Sequence, residues 1–150
     1  MLTMRDATIE DLPAIVAMLA DDDLGSGREV ASAEIPQPYT TAFNKIDTDP
    51  NHRIIIAELD GEIVGTFHLI YIPSLSYTGS TRAQIESVRT VNHLRGRGIG
   101  KQMMDWAIEE ARTAGCHLMQ LSTNNYRKRA HTFYERLGFT ASHQGMKRLL

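Results

Sequence analysis

The chain has 150 residues, the size of one ordinary domain, and we expect a single domain over residues 1–150. Hydrophobic residues make up 42% and charged residues 23%, as in soluble globular proteins, and the formal net charge of −2 argues against a general nucleic-acid binder. The longest apolar runs are strand-sized, the first residues lack a secretory-signal pattern and the lone Cys116 fits a reducing compartment, so we expect a cytoplasmic protein with no membrane partner.

The first third of the chain predicts one strand followed by helical segments. Residues 2–6 are a short strand, and Thr8 with Asp11 three residues later is typical of a helix start. Apolar residues then recur at helical spacing to about residue 20. Weaker signals predict helical segments at residues 29–34 and 39–46, separated by prolines, within a stretch that we expect to form a variable, partly mobile lid.

The centre of the chain predicts three strands. Residues 53–59 and 62–72 flank Asp60-Gly61, a two-residue hairpin signal. A third strand at residues 82–91 alternates loosely, which predicts that Glu86, Val88 and Thr90 face the same side.

The last third predicts two helices and two strands. A helix over residues 98–113 has an apolar face and ends near Gly115, and a strand follows at residues 117–122. A second helix covers residues 128–137 and ends at Gly138, and residues 142–150 are predicted as a last strand. Strands of hairpin type with helices after the later ones indicate a mixed α/β sheet.

The turn from the third predicted strand into the long helix has the sequence Arg95-Gly96-Arg97-Gly98-Ile99-Gly100. The glycines permit positive φ angles and close approach of a ligand, and the first helical N–H groups carry the positive end of the helix dipole. The cationic side chains of Arg95, Arg97 and Lys101 add charge. These features favour a phosphate or pyrophosphate site, with a glycine-rich turn that binds nothing as the alternative.

Two better-known phosphate motifs do not match this turn. A P-loop requires glycine where Arg95 stands, and serine or threonine where Gln102 stands. A dinucleotide-binding fingerprint requires a third glycine at the position of Lys101.

Two motifs together resemble the GCN5-related N-acetyltransferase (GNAT) superfamily. The first is Arg or Gln, two residues, Gly, one residue, and Gly or Ala, matched by Arg95, Gly98 and Gly100. The second is Ala-x-x-Phe-Tyr-Glu-x-x-Gly-Phe, matched by residues 130–139. The motifs occur in the family's order with a helix and a strand between them, and the looser resemblance covers most of the chain.

The resemblance implies an α/β (α+β) fold with a mixed, mostly antiparallel central sheet flanked by helices and splayed between the fourth and fifth strands. It implies acetyl-CoA as acyl donor, with the pyrophosphate held by backbone N–H groups at the turn, residues 95–100. The pantetheine arm would lie in the splay against backbone groups of Val88 and Thr90, and the N–H of Val88 would polarise the thioester carbonyl.

The resemblance also implies direct attack by an acceptor amine in a ternary complex. Tyr134 matches the family's tyrosine near the coenzyme sulfur, which donates a proton to the leaving thiolate; packing in the core is the alternative. Glu86 is the candidate base, acting through water, with an ordinary surface carboxylate as the alternative.

The chain departs from the family pattern at one point. Many relatives have an asparagine three residues before the second motif, in contact with the coenzyme, and this chain has Arg127. Asn124 and Asn125 are close enough in sequence to substitute, with Asn125 assigned to cofactor binding, or Arg127 reaches a phosphate instead.

Other polar residues favour no further chemistry. The six histidines show no metal-ligand spacing, so we expect no metal, and Cys116 is expected to be a small buried residue. The run Asp21-Asp22-Asp23 suits either a solvated helix end or attraction of a cationic acceptor.

The sequence therefore predicts an acetyl-CoA-dependent N-acetyltransferase that acts on a primary amine of a small molecule or peptide. The alternatives are a non-catalytic acyl-CoA-binding or regulatory module and an interaction protein whose turn binds nothing. The oligomeric state is open, although a homodimer formed through an exposed sheet edge or helix is common in the family.

Overall fold

One five-stranded sheet organises the computed structural model, which describes residues 1–22 and 24–150. In sequence order the elements are β1 (Leu2–Asp6), α1 (Leu12–Ala20), α2 (Gln37–Asp47), β2 (His52–Leu59), β3 (Glu62–Pro73), α3 (Ser76–Gly79), β4 (Thr81–Thr90), α4 (Ile99–Thr113), β5 (Met119–Gln120) and α5 (Lys128–Arg136). One-turn 3-10 segments precede α1 (Ile9–Asp11) and α4 (Asn92–Leu94). The four-residue α3 is a single turn whose two central residues are left-handed.

The strands lie in sequence order across the sheet and are antiparallel except for the last pair. β4 and β5 are parallel and pair only at Ala83 with Met119 and Gln84 with Gln120. Because β4 continues to Thr90 beyond this short ladder, the two strands part at their carboxyl ends. The predicted mixed, mostly antiparallel sheet with a splay between its fourth and fifth strands is confirmed.

Local signals in the sequence placed the first half of the fold well. Asp60 and Gly61 have φ angles of 53° and 88°, the paired positive values that a two-residue hairpin turn requires. The backbone N–H of Thr8 donates to the Asp11 carboxylate at 2.7 Å, which begins the helical segment as predicted. The second predicted helical segment, residues 39–46, lies within α2.

Each face of the sheet is covered by its own pair of helices. On one face, α4 and α5 cover an apolar cluster whose largest fully buried members include Phe67, Leu69, Ile85, Met103 and Met104. On the other face, α1 and α2 cover a smaller cluster of Ala7, Leu12, Ile15, Val16, Phe43 and Ile56. We call these the α4 face and the α1 face.

Three local predictions were wrong or too long. Residues 29–34 form no helix, since the tandem turns at residues 24–28 lead into irregular chain. The predicted strand at residues 117–122 is reduced to two residues, because β4 and β5 diverge. Residues 142–150 form no strand and are exposed throughout, since nothing in the described chain pairs with them.

Candidate active site

The glycine turn presents free backbone donors at the start of α4. Gly96 and Gly98 have φ angles of 79° and 80°, and Gly98 is the N-cap. No side chain of the described residues caps the helix, and the first internal bond runs from Gln102 N–H to the Gly98 carbonyl at 3.1 Å. The preceding N–H groups therefore have no partner within the helix. A Cβ added to Gly96 or Gly98 would meet nothing within 4 Å, so there is room for an anionic group.

Gly100 has a different role from the other two glycines. It lies inside α4, and a Cβ there would stand 3.4 Å from the Phe133 ring and 3.9 Å from the Thr90 hydroxyl. Gly100 does not use the positive φ that the sequence permits, and an added Cβ would meet α5 at an ordinary van der Waals distance. Ile99 beside it is buried and anchors the helix start in the α4 face.

The cationic side chains around the turn are largely engaged with protein groups. Arg95 donates to the carbonyls of Thr90 and Asp21 and to the Asn92 side chain at 3.2–3.3 Å, so it fastens the turn to β4 and to the end of α1. Lys101 forms an exposed ion pair with Asp105 at 2.6 Å. Arg97 is exposed. The backbone of the turn, more than its charged side chains, is thus presented to a ligand.

A bulge in β4 changes the faces that the alternation predicted. Ser87 has a φ of 54°, and the pairing with β3 shifts between Thr66 and His68. The extra residue puts Val88 on the α4 face, while Arg89 pairs with Thr66 on the opposite side. The prediction that Glu86 and Val88 share a face was therefore wrong.

The carbonyls at the end of β4 already have partners. The Val88 carbonyl accepts from the Arg89 guanidinium at 3.0 Å, and the Thr90 carbonyl accepts from Arg95 at 3.3 Å. The Thr90 hydroxyl lies on the α4 face near Gly100. The strand end is held in place from both sides just where it parts from β5.

Tyr134 packs in the α4 face, and its hydroxyl is the part of the side chain that bears on the chemistry. Its ring makes edge contacts with Phe133 and Phe139 at centroid distances of 5.0 and 5.8 Å. Within residues 1–22 and 24–150, its hydroxyl has no hydrogen-bond partner. Burial raises the pKa of this phenol, and the charges of Arg127 and Arg89 oppose that rise. Tyr134 thus combines core packing with a protonated donor.

Glu86 is exposed and belongs to a group of polar side chains whose contacts the sequence did not predict. Its carboxylate accepts from Gln84 at 2.6 Å, and it pairs across the strands with His68. The His68 ring lies 3.0 Å from His52, Nε2 to Nδ1. Burial, followed by the His52 ring, lowers the pKa of His68, while Glu86 opposes the shift. Counted back from Asp60-Gly61, the hairpin register pairs His68 with Arg53 and puts His52 on the other face. The shift between Ala57 and Glu58 pairs His68 with Ile54 instead, and this irregularity brings the two histidines together.

The loop before α5 is fastened to the far end of α1. Arg127 donates to Asp22 Oδ2 at 2.8 Å, across 105 positions of sequence. Asn124 accepts the Tyr126 N–H at 3.0 Å, and Asn125 is exposed. The buried Thr123 hydroxyl lacks a hydrogen-bond partner among the described residues.

The acidic run at the end of α1 acts as a junction. Asp21 accepts from Arg95 through its carbonyl, and Asp22 accepts from Arg127, so this end of α1 meets both the glycine turn and α5. Asp23, the third member of the predicted run, lies outside the described residues.

Neither a metal-ion cluster nor a membrane-spanning helix occurs in the described residues. Nowhere in residues 1–22 and 24–150 do three or more histidine, cysteine, aspartate or glutamate side chains form a group able to hold a metal ion. In the same residues no helix is both long and apolar enough to cross a bilayer.

Comparison with known proteins gives consistent matches over nearly the whole chain. The family described as Acetyltransferase (GNAT) matches residues 16–139. The aminoalkylphosphonate N-acetyltransferase of Salmonella typhimurium is 33% identical over 144 residues, which cover 93% of this chain and 86% of that protein.

Solved structures agree on the fold. A protein described as a transcriptional regulator from Bacillus halodurans C-125 has a TM-score of 0.96 and 48% identity, with both chains covered completely. A putative acetyltransferase from Agrobacterium tumefaciens has a TM-score of 0.86 and 28% identity, with 99% of each chain covered.

Proposed function

Because the chain belongs to the acetyltransferase (GNAT) family, a family of N-acetyltransferase enzymes, we propose that it transfers the acetyl group of acetyl-CoA to a primary amine. The observation that carries this proposal is the uncapped start of α4 beside the splay of β4 and β5. Tyr134 lies on the same face, with its hydroxyl unpaired among the described residues. A phosphate cradle, a gap for a thin acyl chain and a proton donor are the parts that acyl transfer from a thioester requires.

The coenzyme would be held mainly by backbone groups. The turn from Arg95 to Gly100, with the N–H of Lys101, offers donors to the pyrophosphate, and the open space around Gly96 and Gly98 fits that bulk. Val88 and Thr90 line the splay, and the Val88 N–H is proposed to polarise the thioester carbonyl. Asn125, exposed on the loop before α5, is proposed to contact the coenzyme in place of the family's asparagine.

The chemistry requires a neutral amine and a protonated leaving group. Acetyl-CoA supplies an activated acyl group as a thioester. Tyr134 is proposed to donate a proton to the departing sulfur, for which its free hydroxyl and raised pKa suit it. Glu86 is proposed to accept the proton of the amine through water, because its exposed carboxylate is within reach of solvent on the α1 face.

The acceptor is proposed to be a small molecule that carries a primary amine. A peptide was the other acceptor class that the sequence left open. The similarity to an enzyme named for aminoalkylphosphonates supports the small molecule over the peptide.

A second candidate function is a regulatory module that binds acyl-CoA without turnover. The structure from Bacillus halodurans that is described as a transcriptional regulator, 48% identical, favours keeping it. The Tyr134 hydroxyl and the Glu86 carboxylate favour the enzyme, since a pure binding module needs neither.

A thiol-release assay separates the two candidates. Purified protein is given acetyl-CoA and a panel of small primary amines, and free coenzyme A is followed with a thiol reagent. The enzyme should release thiol in an amine-dependent way. A protein that is thermally stabilised by coenzyme A but releases no thiol with any amine would be the regulatory module.

A further inference from the structure

Arg89 is a buried cation with donors that have no partner among the described residues. It is 8% exposed and follows the bulge of β4 on the α1 face. One guanidinium nitrogen donates to the Val88 carbonyl at 3.0 Å, and another lies 3.6 Å from Asp22 Oδ2, longer than a hydrogen bond. Its buried Nε has no hydrogen-bond partner in the described part of the chain. Leaving donors of a buried guanidinium unsatisfied is unfavourable, which points to a partner that binds there.

Among the described residues, Asp22 is the carboxylate nearest to Arg89, and it already has other partners. Asp22 Oδ2 already accepts from Arg127 at 2.8 Å, and Asp22 Oδ1 accepts the Gly25 N–H. Although burial opposes it, the pKa of Asp22 is lowered by the Gly25 bond and by the nearby arginines. Arg28 is close as well, but it pairs with Glu29 at 3.2 Å. In the described residues, two guanidinium groups thus share one carboxylate, and we call Arg89, Arg127 and Asp22 the arginine cluster.

The arginine cluster lies beside the proposed chemistry, and its Asp22 follows Asp21, whose carbonyl accepts from Arg95 of the glycine turn. The charges of Arg127 and Arg89 both act on the Tyr134 phenol. Arg89 points to the α1 face, whereas the Thr90 side chain and the start of α4 are on the α4 face. An anion bound at Arg89 would therefore lie on the α1 face, which also carries Glu86, the proposed base for the acceptor amine.

We propose that the arginine cluster binds an anionic group of the acceptor, which makes the substrate a small amine that also carries a carboxylate, phosphate or phosphonate. This inference rests on the proposed acetyltransferase function. The planar guanidinium fork of Arg89 or Arg127 matches two oxygens of such a group. Arg127, whose side chain is 37% exposed, provides the accessible edge, and Arg89 provides the buried donors.

Matched acceptors test the proposal. Three amines of similar length are compared in the thiol-release assay: 2-aminoethylphosphonate, β-alanine and the neutral propylamine. We expect kcat/KM to be about tenfold or more higher for the better anionic amine than for propylamine, the size of a charged hydrogen bond. The phosphonate and carboxylate arms distinguish which anion fits.

Variants locate the preference at the cluster. Arg127→Gln should remove most of the preference for the anionic amine, measured as the ratio of its kcat/KM to that of propylamine, so that any change common to both amines cancels, and it should leave the Kd of acetyl-CoA unchanged. The matched control is Arg129→Gln, since Arg129 is exposed on the same helix. Arg89→Lys keeps the charge but not the fork, and it should weaken the same preference if the melting temperature shows that it folds.

Each outcome decides the proposal. Equal kcat/KM for neutral and anionic amines would overturn it, as would an Arg127→Gln variant that keeps the preference or that weakens acetyl-CoA binding instead. If no amine is acetylated at all, the proposed function fails first, and calorimetric titration with methylphosphonate still tests the anion site. Binding that is present in the unmodified protein and lost in Arg127→Gln supports the site, and absence of binding rejects it.

Discussion

The two faces of the sheet differ in the polarity of their side chains. The α4 face is an apolar cluster in which Phe67, Met103 and Met104 are 0–1% exposed, and its helix start displays backbone donors. The α1 face has a smaller apolar cluster and carries charged or polar groups: Arg5 with Asp11, His52 with His68, and Arg89 with Asp22. The apolar α4 face suits a cosubstrate that is the same in every reaction and is bound through the backbone. The polar α1 face suits recognition of a particular acceptor by side chains.

Tyr134 sharpens this comparison because it packs on the apolar face yet experiences the charges of the polar one. We expect Tyr134→Phe to lower kcat about thousandfold, since it removes only the donated proton, and to leave the Kd of acetyl-CoA nearly unchanged. Steady-state kinetics and calorimetric binding measure the two quantities. Tyr126→Phe is the control, because that tyrosine is 89% exposed. Unchanged turnover would leave Tyr134 with a packing role alone.

Glu86 tests whether the polar face takes part in the chemistry as well as in recognition. Glu86→Gln should lower kcat/KM about hundredfold and flatten the acid limb of its pH profile, because the amide cannot accept the amine proton. Glu62→Gln, at the exposed start of β3, is the matched control. A variant with the parent's pH profile would remove Glu86 as the base and direct attention to the neighbouring His68.

The α4 face was predictable from sequence to a large extent, since its parts are close together in the chain. The turn from Arg95 to Gly100 and the motif around Tyr134 each occupy a few consecutive residues, and helical spacing predicts the buried positions of α4. Gly100 shows the limit of such reading. The motif suggests a turn residue, but Gly100 lies inside α4, next to the Phe133 ring.

The polar face was not predictable for a physical reason. Asp22 and Arg127 are 105 positions apart, and nothing local in either segment encodes their contact. The bulge occurs at Ser87, which is not a glycine, so the sequence does not indicate it. It places every later residue of β4 on the face opposite to the one that strict alternation predicts, and so brings Arg89 to Asp22. The geometry of the proposed acceptor site therefore depends on contacts between distant segments and on one inserted residue in β4.

Gly25 offers a way to disturb the polar face while leaving the other intact. A Cβ at Gly25 would lie 1.9 Å from the Leu19 carbonyl oxygen and 3.0 Å from the Asp22 carboxylate, so the backbone that holds Asp22 must move. We expect Gly25→Ala to lower the free energy of unfolding by about 3 kcal/mol, the upper range for overpacking, in urea denaturation. Gly27→Ala is the control, because its Cβ would meet nothing within 4 Å, and it should be nearly neutral. Equal stability of the two variants would show that the end of α1 tolerates displacement.

Asp11 gives the smallest expected effect and tests whether charges also stabilise the polar face. Its carboxylate accepts two hydrogen bonds from Arg5, at 2.7 and 2.9 Å, and its side chain is 8% exposed. The Arg5 hydrogen bonds, against the opposing effect of burial, lower the pKa of Asp11 below its ordinary value of 3.8. A folded-state pKa below the unfolded one stabilises the fold above pH 3.8, and that stabilisation is lost as the pH falls through the folded value.

Asp11→Asn should therefore reduce the free energy of unfolding by about 2 kcal/mol near neutral pH, and the difference from the parent should shrink only below pH 3.8. Asp105→Asn, which breaks the exposed pair with Lys101, should change stability by less than about 1 kcal/mol at any pH. A difference between parent and Asp11→Asn that stays constant in acid would mean that shape, and not charge, holds Arg5 and Asp11 together.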